Sequence, residues 1–260
     1  MSNFSYSRLR IFDGTDIFAS ENEAAFFPFH FHKEVCVSII TKGVELFYSH
    51  DSAEIICPRG RISITNSKEI HRNQSFFDDG YSYKTIYLNT DVLKYFNHNI
   101  PVNWLQSTIE DYGLYQKIDN IISNRTCSNN AWSDMIRHLL RYQTQHEQEQ
   151  KHNKFLLLEP ILEWLEDGNL SIPALARKFF MSPYHFIREF KKFHGVTPQS
   201  YVLLYRLHQV KQQLKSNSNL LDISLAHGFY DVSHLSKTFK HYFGTSIHHY
   251  KNSNILPPGI

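Results

Sequence analysis

Between residues 25 and 90 the chain alternates apolar and polar positions in short runs, each bounded by turn residues. The runs "FFPFHFHKEVCVSIITKG", "VELFYSH", "AEIICPRG", "RISITN", "EIHRN" and "YSYKTIYLN" read as strands, at a spacing that suits a small β-barrel or sandwich. From residue 91 the period lengthens to that of a helix. Ile118, Ile121 and Ile122 fall at helical spacing, as do Trp132, Ile136, Leu139 and Leu140, and the polar stretch "QTQHEQEQKHNK" after them is the expected linker. Beyond Phe155 the pattern is helical and well punctuated. "FLLLEPILEWLEDG" places Leu158, Ile161, Leu162 and Leu165 on one face and stops at Gly168. Ser171 caps "LSIPALARKFF", Ser182-Pro183 opens a helix that Gly195 closes, and Thr197-Pro198 opens a longer one with Tyr201, Leu204, Leu207 and Leu214 inward. "NLLDISLAHGF" follows, then Asp231 as N-cap for "VSHLSKTFKHYF".

One segment is written twice. "SPYHFIREFKKFHG" (182–195) and "DVSHLSKTFKHYFG" (231–244) align at an offset of 49, so that His185 meets His234, Phe190-Lys191 meets Phe239-Lys240, and Gly195 meets Gly244. Two short helices joined by a tight turn, the second better capped and more basic, describe a helix-turn-helix. Here two such units flank a helix of about 25 Å at ~1.5 Å per residue. Joined in this way they suit successive major-groove segments about 34 Å apart on one face of a duplex. The repeated apolar positions are core. The basic residues along both helices are what a core does not explain.

Composition narrows the classes. With 42% hydrophobic and 15% aromatic residues in 260, there is material for two packed domains, and disorder is excluded. Cys36, Cys57 and Cys127 are odd in number and widely spaced, so neither a disulfide framework nor a CxxC metal motif is expected. The first residues lack the apolar stretch of a signal peptide, and no apolar run reaches about 18 residues, which places the protein in the cytoplasm with no membrane partner. The net charge of +2 hides an asymmetry: residues 1–150 carry 14 Lys+Arg against 18 Asp+Glu, residues 151–260 carry 13 against 7. A balance of −4 in one half and +6 in the other points to a polyanion partner for the basic half.

The stretch "DISLAHGFYDVSHLSKTFKHYFGTSIHHYK" resembles the signature of the AraC/XylS family of bacterial transcription regulators, and "LARKFFMSPYHFIREFKKFHGVTPQSYVLLYRL" resembles that family's first helix-turn-helix. The likeness spans about residues 155–251. It departs from the family at Ile247, where a proline is usual, at Ser224, and at Leu235, where an aromatic is usual. The resemblance implies that Tyr184, Ile187 and Arg188 read bases in the first recognition helix, at i, i+3 and i+4 on a face turned from Phe186 and Phe190. A guanidinium such as that of Arg188 can take a guanine in bidentate fashion. In the second helix the matching positions are Val232, Ser233, His234 and Lys237. Lys191, Lys192 and Lys240 sit further along, where phosphate contacts are expected.

"HFH", "PRG" and the later His71 are spaced as in a cupin barrel, and in AraC relatives such a barrel commonly forms the effector-binding domain. His30 and His32, two apart on one expected strand, share a face that Glu34 continues, and His71 comes from another strand. Three readings stand open: the imidazoles converge on a divalent metal, they line a small-molecule pocket with Arg59, Tyr83 and Tyr87 as neighbours, or they are satisfied at a barrel mouth. The resemblance implies a metal-free ligand domain, so neither metal nor cofactor is expected. The expected architecture is α+β in two domains. A cupin-like effector domain occupies residues 1–90, a helical dimerisation segment and linker 91–150, and an all-α DNA-binding domain with two helix-turn-helix units joined by a helix 151–260. Promoter DNA, a small-molecule effector, RNA polymerase and a second copy of the chain are the expected partners. No nucleophile–base pair or phosphate loop points to an enzyme; the rival is a metal-dependent cupin enzyme with a helical tail.

Overall fold

The computed structural model describes residues 3–9, 15–24, 27–49, 54–124, 128–144, 171–215, 218–252 and 254–256. Cys127, the linker beyond Thr144 and the helix expected over Leu158, Ile161, Leu162, Leu165 and Gly168 lie outside them. The chain divides into two compact units, Met1–His146 with Ser236–Ile260, and Glu147–Leu235.

In the first unit the strands are β1 (Asn3–Leu9), β2 (Thr15–Glu23), β3 (Val35–Lys42), β4 (Val44–Ser49), β5 (Ile55–Pro58), β6 (Ile62–Thr65), β7 (His71–Ser75) and β8 (Tyr81–Leu88). Helix α1 (Thr90–Phe96), β9 (Trp104–Leu105), β10 (Thr108–Ile109), α2 (Tyr112–Asn124), α3 (Asn129–Leu139) and β11 (Gln143–Thr144) follow, and β12 is Asn254–Leu256. One sheet runs β10-β6-β3-β8-β2-β1-β12 and another β5-β4-β7. The strands expected between residues 25 and 90 are β3 to β8, while β1 and β2 extend the sheet before them.

The strand period divides the large sheet into two faces of different chemistry. Val37, Ile39, Ile62, Ile64, Ile86 and Leu88 point one way, into a core completed by Leu114, Ile118, Ile121 and Ile122 of α2 and Trp132, Met135, Ile136 and Leu139 of α3. Each fully buried aliphatic side chain there contributes about 1.5–3 kcal/mol. The apolar faces of α2 and α3 are therefore packed on this sheet. Cys36, Ser38, Thr65, Tyr83, Thr85 and Tyr87 point the other way, into an interior that the small sheet closes.

Two glycines let the strands approach at one end. Gly43 has φ +72°, and a Cβ on it would lie 2.8 Å from the Gly80 carbonyl oxygen. Gly80 has φ +82°, and a Cβ there would lie 2.9 Å from the carbonyl carbon of Asn22. Only glycine meets both demands.

The remaining helices are α4 (Ile172–Lys178), α5 (Pro183–His194), α6 (Pro198–Gln213), α7 (Leu220–Ala226), α8 (Val232–Phe243) and α9 (Ile247–Lys251). Leu175 and Ala176 of α4 pack with Phe186 and Phe190 of α5, and Phe179, Phe193 and Tyr201 seal the cluster. The caps fall where the sequence places them. Ser171, Ser182 and Thr197 each accept from a backbone N–H of the first turn, with proline in that turn, and Gly195 ends α5 at φ 73°. At 16 residues, α6 is about 24 Å long. Among the described residues no helix is long and apolar enough to cross a membrane.

Candidate nucleic-acid interface and ligand pocket

Capping and burial set which side of each recognition helix is presented. In α5, Ser182 Oγ accepts from the His185 N–H (3.2 Å), and burial of Phe186 and Phe190 turns the opposite face outward. Tyr184 (77% exposed), Arg188, Lys191 and Lys192 are exposed, and Ile187 is half-buried. Arg188 Nη2 donates to His185 Nδ1 at 3.2 Å, and its Nε lies 3.8 Å from Glu189, weak tethers that leave the guanidinium available. In α8, Asp231 Oδ1 accepts from the His234 N–H (2.7 Å). Ser233, His234, Lys237 and Lys240 are exposed, Val232 is half-buried, and Leu235 and Phe239 are buried. The His234 ring also meets Phe229 edge-on at 5.5 Å.

Both turns use one left-handed residue, Phe180 (φ 56°) in the first unit and Gly228 (φ 72°) in the second. One residue separates Phe180 from the cap Ser182, and two separate Gly228 from Asp231, so the second turn is longer by one residue. Phe180 is 95% and Tyr230 88% exposed. These aromatics beside the helix starts were not foreseen, because apolar pattern assigns an aromatic to the core.

Between the two sheets lies a pocket of about 500 Å³, part of it open to solvent. His30, His32, His71, Tyr83 and Tyr87 line it as expected residues; Glu45, Asn73, Tyr81, Ser38 and Phe18 join them. Arg59 and Glu34 are not among the lining residues. Arg59 stands exposed on the turn after β5, where its N–H donates to the Gly43 carbonyl (3.0 Å) and Gly60 takes φ +89°. The expectation that His30 and His32 share a regular strand is also corrected. Pro28 has no N–H to give a ladder, and only an isolated bridge forms, His30 with His71, through two backbone hydrogen bonds of 2.9 Å.

That bridge nonetheless brings the three imidazoles together. Ring centroids lie 4.3 Å apart for His30 and His71, 4.8 Å for His30 and His32, and 5.2 Å for His32 and His71. Phe47 stacks on His71 at 5.7 Å and Tyr87 meets His32 edge-on at 5.5 Å. The Nδ1–H of His30 donates to the Pro28 carbonyl (2.8 Å), and that of His71 to the Glu69 carbonyl (2.9 Å). Burial lowers His30 to about 4, and burial together with the adjacent His30 holds His71 well below its usual value, so both rings are neutral near pH 7. Burial raises Glu45, opposed by hydrogen bonds from Ser63, Asn73 and Tyr81, and pushes the phenols of Tyr81, Tyr83 and Tyr87 well above their usual value. The interior is thus rich in hydrogen-bonding groups and poor in charge.

Family models match both halves: an AraC-like ligand binding domain over residues 15–163 and a helix-turn-helix domain over residues 175–253. The chain belongs to the AraC/XylS family. It is a DNA-binding transcription regulator with an N-terminal ligand-binding domain. The uncharacterised HTH-type transcriptional regulator YbfI of Bacillus subtilis is 25% identical over 228 residues, 80% of this chain and 81% of YbfI. The multiple antibiotic resistance protein MarA of Escherichia coli is 31% identical over 104 residues, 38% of this chain and 82% of MarA. Among solved structures, ToxT of Vibrio cholerae O395 superposes with a TM-score of 0.55 at 11% identity, covering 96% of both chains. ToxT of strain SCE256, solved with unsaturated fatty acid bound, gives 0.53 at 11% identity over 96% and 94%. At that identity the AraC-type regulator ToxT shares the fold alone.

Proposed function

We propose that this regulator reads promoter DNA with α5 and α8 and that a small molecule held between the two sheets biases that reading. Tyr184, Ile187 and Arg188, with Val232, Ser233, His234 and Lys237, take bases; Lys191, Lys192 and Lys240 take phosphates. The observation that carries the proposal is the duplication itself: two capped helices bury matched apolar positions and present polar faces with basic residues at matched positions. The functional division follows residues 1–90 for effector binding, 91–150 for the helical segment and 151–260 for DNA. Self-association, through the outer faces of α2 and α3, and contact with RNA polymerase in the cytoplasm complete this reading. Because its relatives are transcription regulators, we read the barrel as a sensor and not as a catalyst.

ToxT binds an unsaturated fatty acid. The lining here, three imidazoles with Glu45, Asn73 and stacked phenols (Tyr81 and Tyr83, 5.0 Å), favours a compact polar ligand over an alkyl chain. Such a ligand acts only by binding two arrangements of the chain with different affinity. The test of the DNA assignment is a pair of substitutions on cognate and random duplexes. Arg188→Ala is expected to cost about 1–3 kcal/mol on the cognate site and to relax preference at one base pair. Lys191→Ala weakens all sequences alike. Equal losses on both duplexes for Arg188→Ala would overturn the base-reading role.

A further inference from the structure

The family reading gives the three-histidine cluster no task of its own. Its geometry is more particular than that of a hydrogen-bonding wall. His30, His32 and His71 are 5%, 7% and 2% exposed, and each offers a ligand atom such that all three atoms lie within 4.8 Å of one another. They come from both flanks of one backbone bridge, so their main chains are held in register. In His30 and His71 the Nδ1–H is committed to a main-chain carbonyl, which fixes the tautomer and leaves Nε2 as a lone pair. A ring nitrogen tied to a carbonyl while the other faces a shared centre is the arrangement of metal-bound histidine.

We propose that His30, His32 and His71 bind one divalent first-row transition-metal ion of the zinc type, with its remaining position open to the pocket. Imidazole donors select that class of ion over magnesium or calcium, which prefer oxygen. Metal–nitrogen bonds of about 2.0–2.1 Å place tetrahedral ligand atoms roughly 3.4 Å apart. The present separation closes to that by small rotations of the rings. Three protein ligands leave a coordination position for water or an oxygen of a bound molecule. The buried carboxyl group of Glu45, which accepts from Asn73 (2.7 Å) and Tyr81 (3.3 Å), lines the same pocket. This site does not depend on how the chain reads DNA, and its test uses no DNA.

The full chain, stripped with chelator and dialysed, is titrated with Co²⁺ and then with Zn²⁺. One equivalent of Co²⁺ per chain is expected, with the visible absorption of a low-coordinate nitrogen site, displaced by one equivalent of Zn²⁺. His71→Ala and His30→Ala each weaken uptake by roughly 100-fold or more, beyond the 10–100-fold typical of lost outer-shell partners. A His248→Ala/His249→Ala chain, altered at C-terminal histidines outside the pocket lining, keeps it. Should a histidine variant fail to fold, X-ray absorption of the Zn²⁺-loaded wild type decides instead: imidazole scattering is expected. Absence of uptake by the wild type, uptake that survives the His30→Ala/His71→Ala double substitution, or a coordination shell without imidazole would each overturn the proposal.

Discussion

At the scale of single residues, Ser224 carries an avoidable cost. It is fully buried in α7, and its Oγ meets no hydrogen-bond partner among the described residues. A buried hydroxyl left unmatched costs about 1–3 kcal/mol. Alanine at this position removes the hydroxyl, leaves almost the same volume, and is the better helix former. Ser224→Ala is therefore expected to raise the unfolding free energy by about 1 kcal/mol. Denaturant titration should show a higher midpoint at unchanged slope. A lower midpoint would mean that the hydroxyl has a partner in solution. Phe180 is a different kind of exception. It holds a left-handed conformation while almost wholly exposed, in a turn where the second unit uses Gly228.

At the scale of elements, the caps and the strand alternation explain what the sequence made legible. Strands β3, β6 and β8 were readable because each has two chemically different sides, the core shared with α2 and α3 against one and the pocket against the other. Strands β1 and β2 were not. Strand β1 is largely polar, and β2 carries an irregularity between Ser20 and Glu23, with Asn22 at φ 52°, that breaks its alternation. The convergence of His30, His32 and His71 could be guessed from spacing. The presence of Glu45, Asn73 and Tyr81 beside them could not, since it follows from closure of two sheets over long sequence separations. The junction of α2 and α3 was equally hidden, and Asp111 governs it. Its carboxylate accepts from Tyr142 (2.6 Å), from the Leu114 N–H at the start of α2 (2.8 Å) and from His138 of α3 (2.8 Å). Lys117 in turn donates to the other nitrogen of His138 at 3.3 Å. The Tyr142 hydroxyl first, then the Leu114 N–H, hold Asp111 down at about 2. A depressed carboxylate stabilises the fold above its unfolded value of about 3.9, and that contribution is lost as pH falls towards 2. Asp111→Asn should cost on the order of 1 kcal/mol at neutral pH. The gap to wild type should narrow between pH 4 and about 2 in parallel acid titrations followed by circular dichroism. A gap constant across that window would assign the loss to packing.

At the scale of the whole molecule, the question is whether both reading heads engage one duplex. Charge makes this measurable, because residues 151–260 carry a surplus of six positive charges while residues 1–150 carry a deficit of four. Binding to DNA therefore releases counterions at the basic half, and log K falls with log salt at a slope of about −0.9 for each phosphate neutralised. Lys191 in α5 and Lys240 in α8 occupy matched, exposed positions of the repeat. If each touches a phosphate, Lys191→Gln and Lys240→Gln each flatten the slope by about 0.9, and the double substitution flattens it by about 1.8. Base preference is unchanged in all three, since phosphate contacts position without specifying. A flattening confined to Lys191→Gln would mean that α5 alone lies on the DNA and that α8 serves another partner. Filter-binding or fluorescence titrations on one cognate duplex across a range of salt separate these outcomes, because the slope counts contacts regardless of which bases are read.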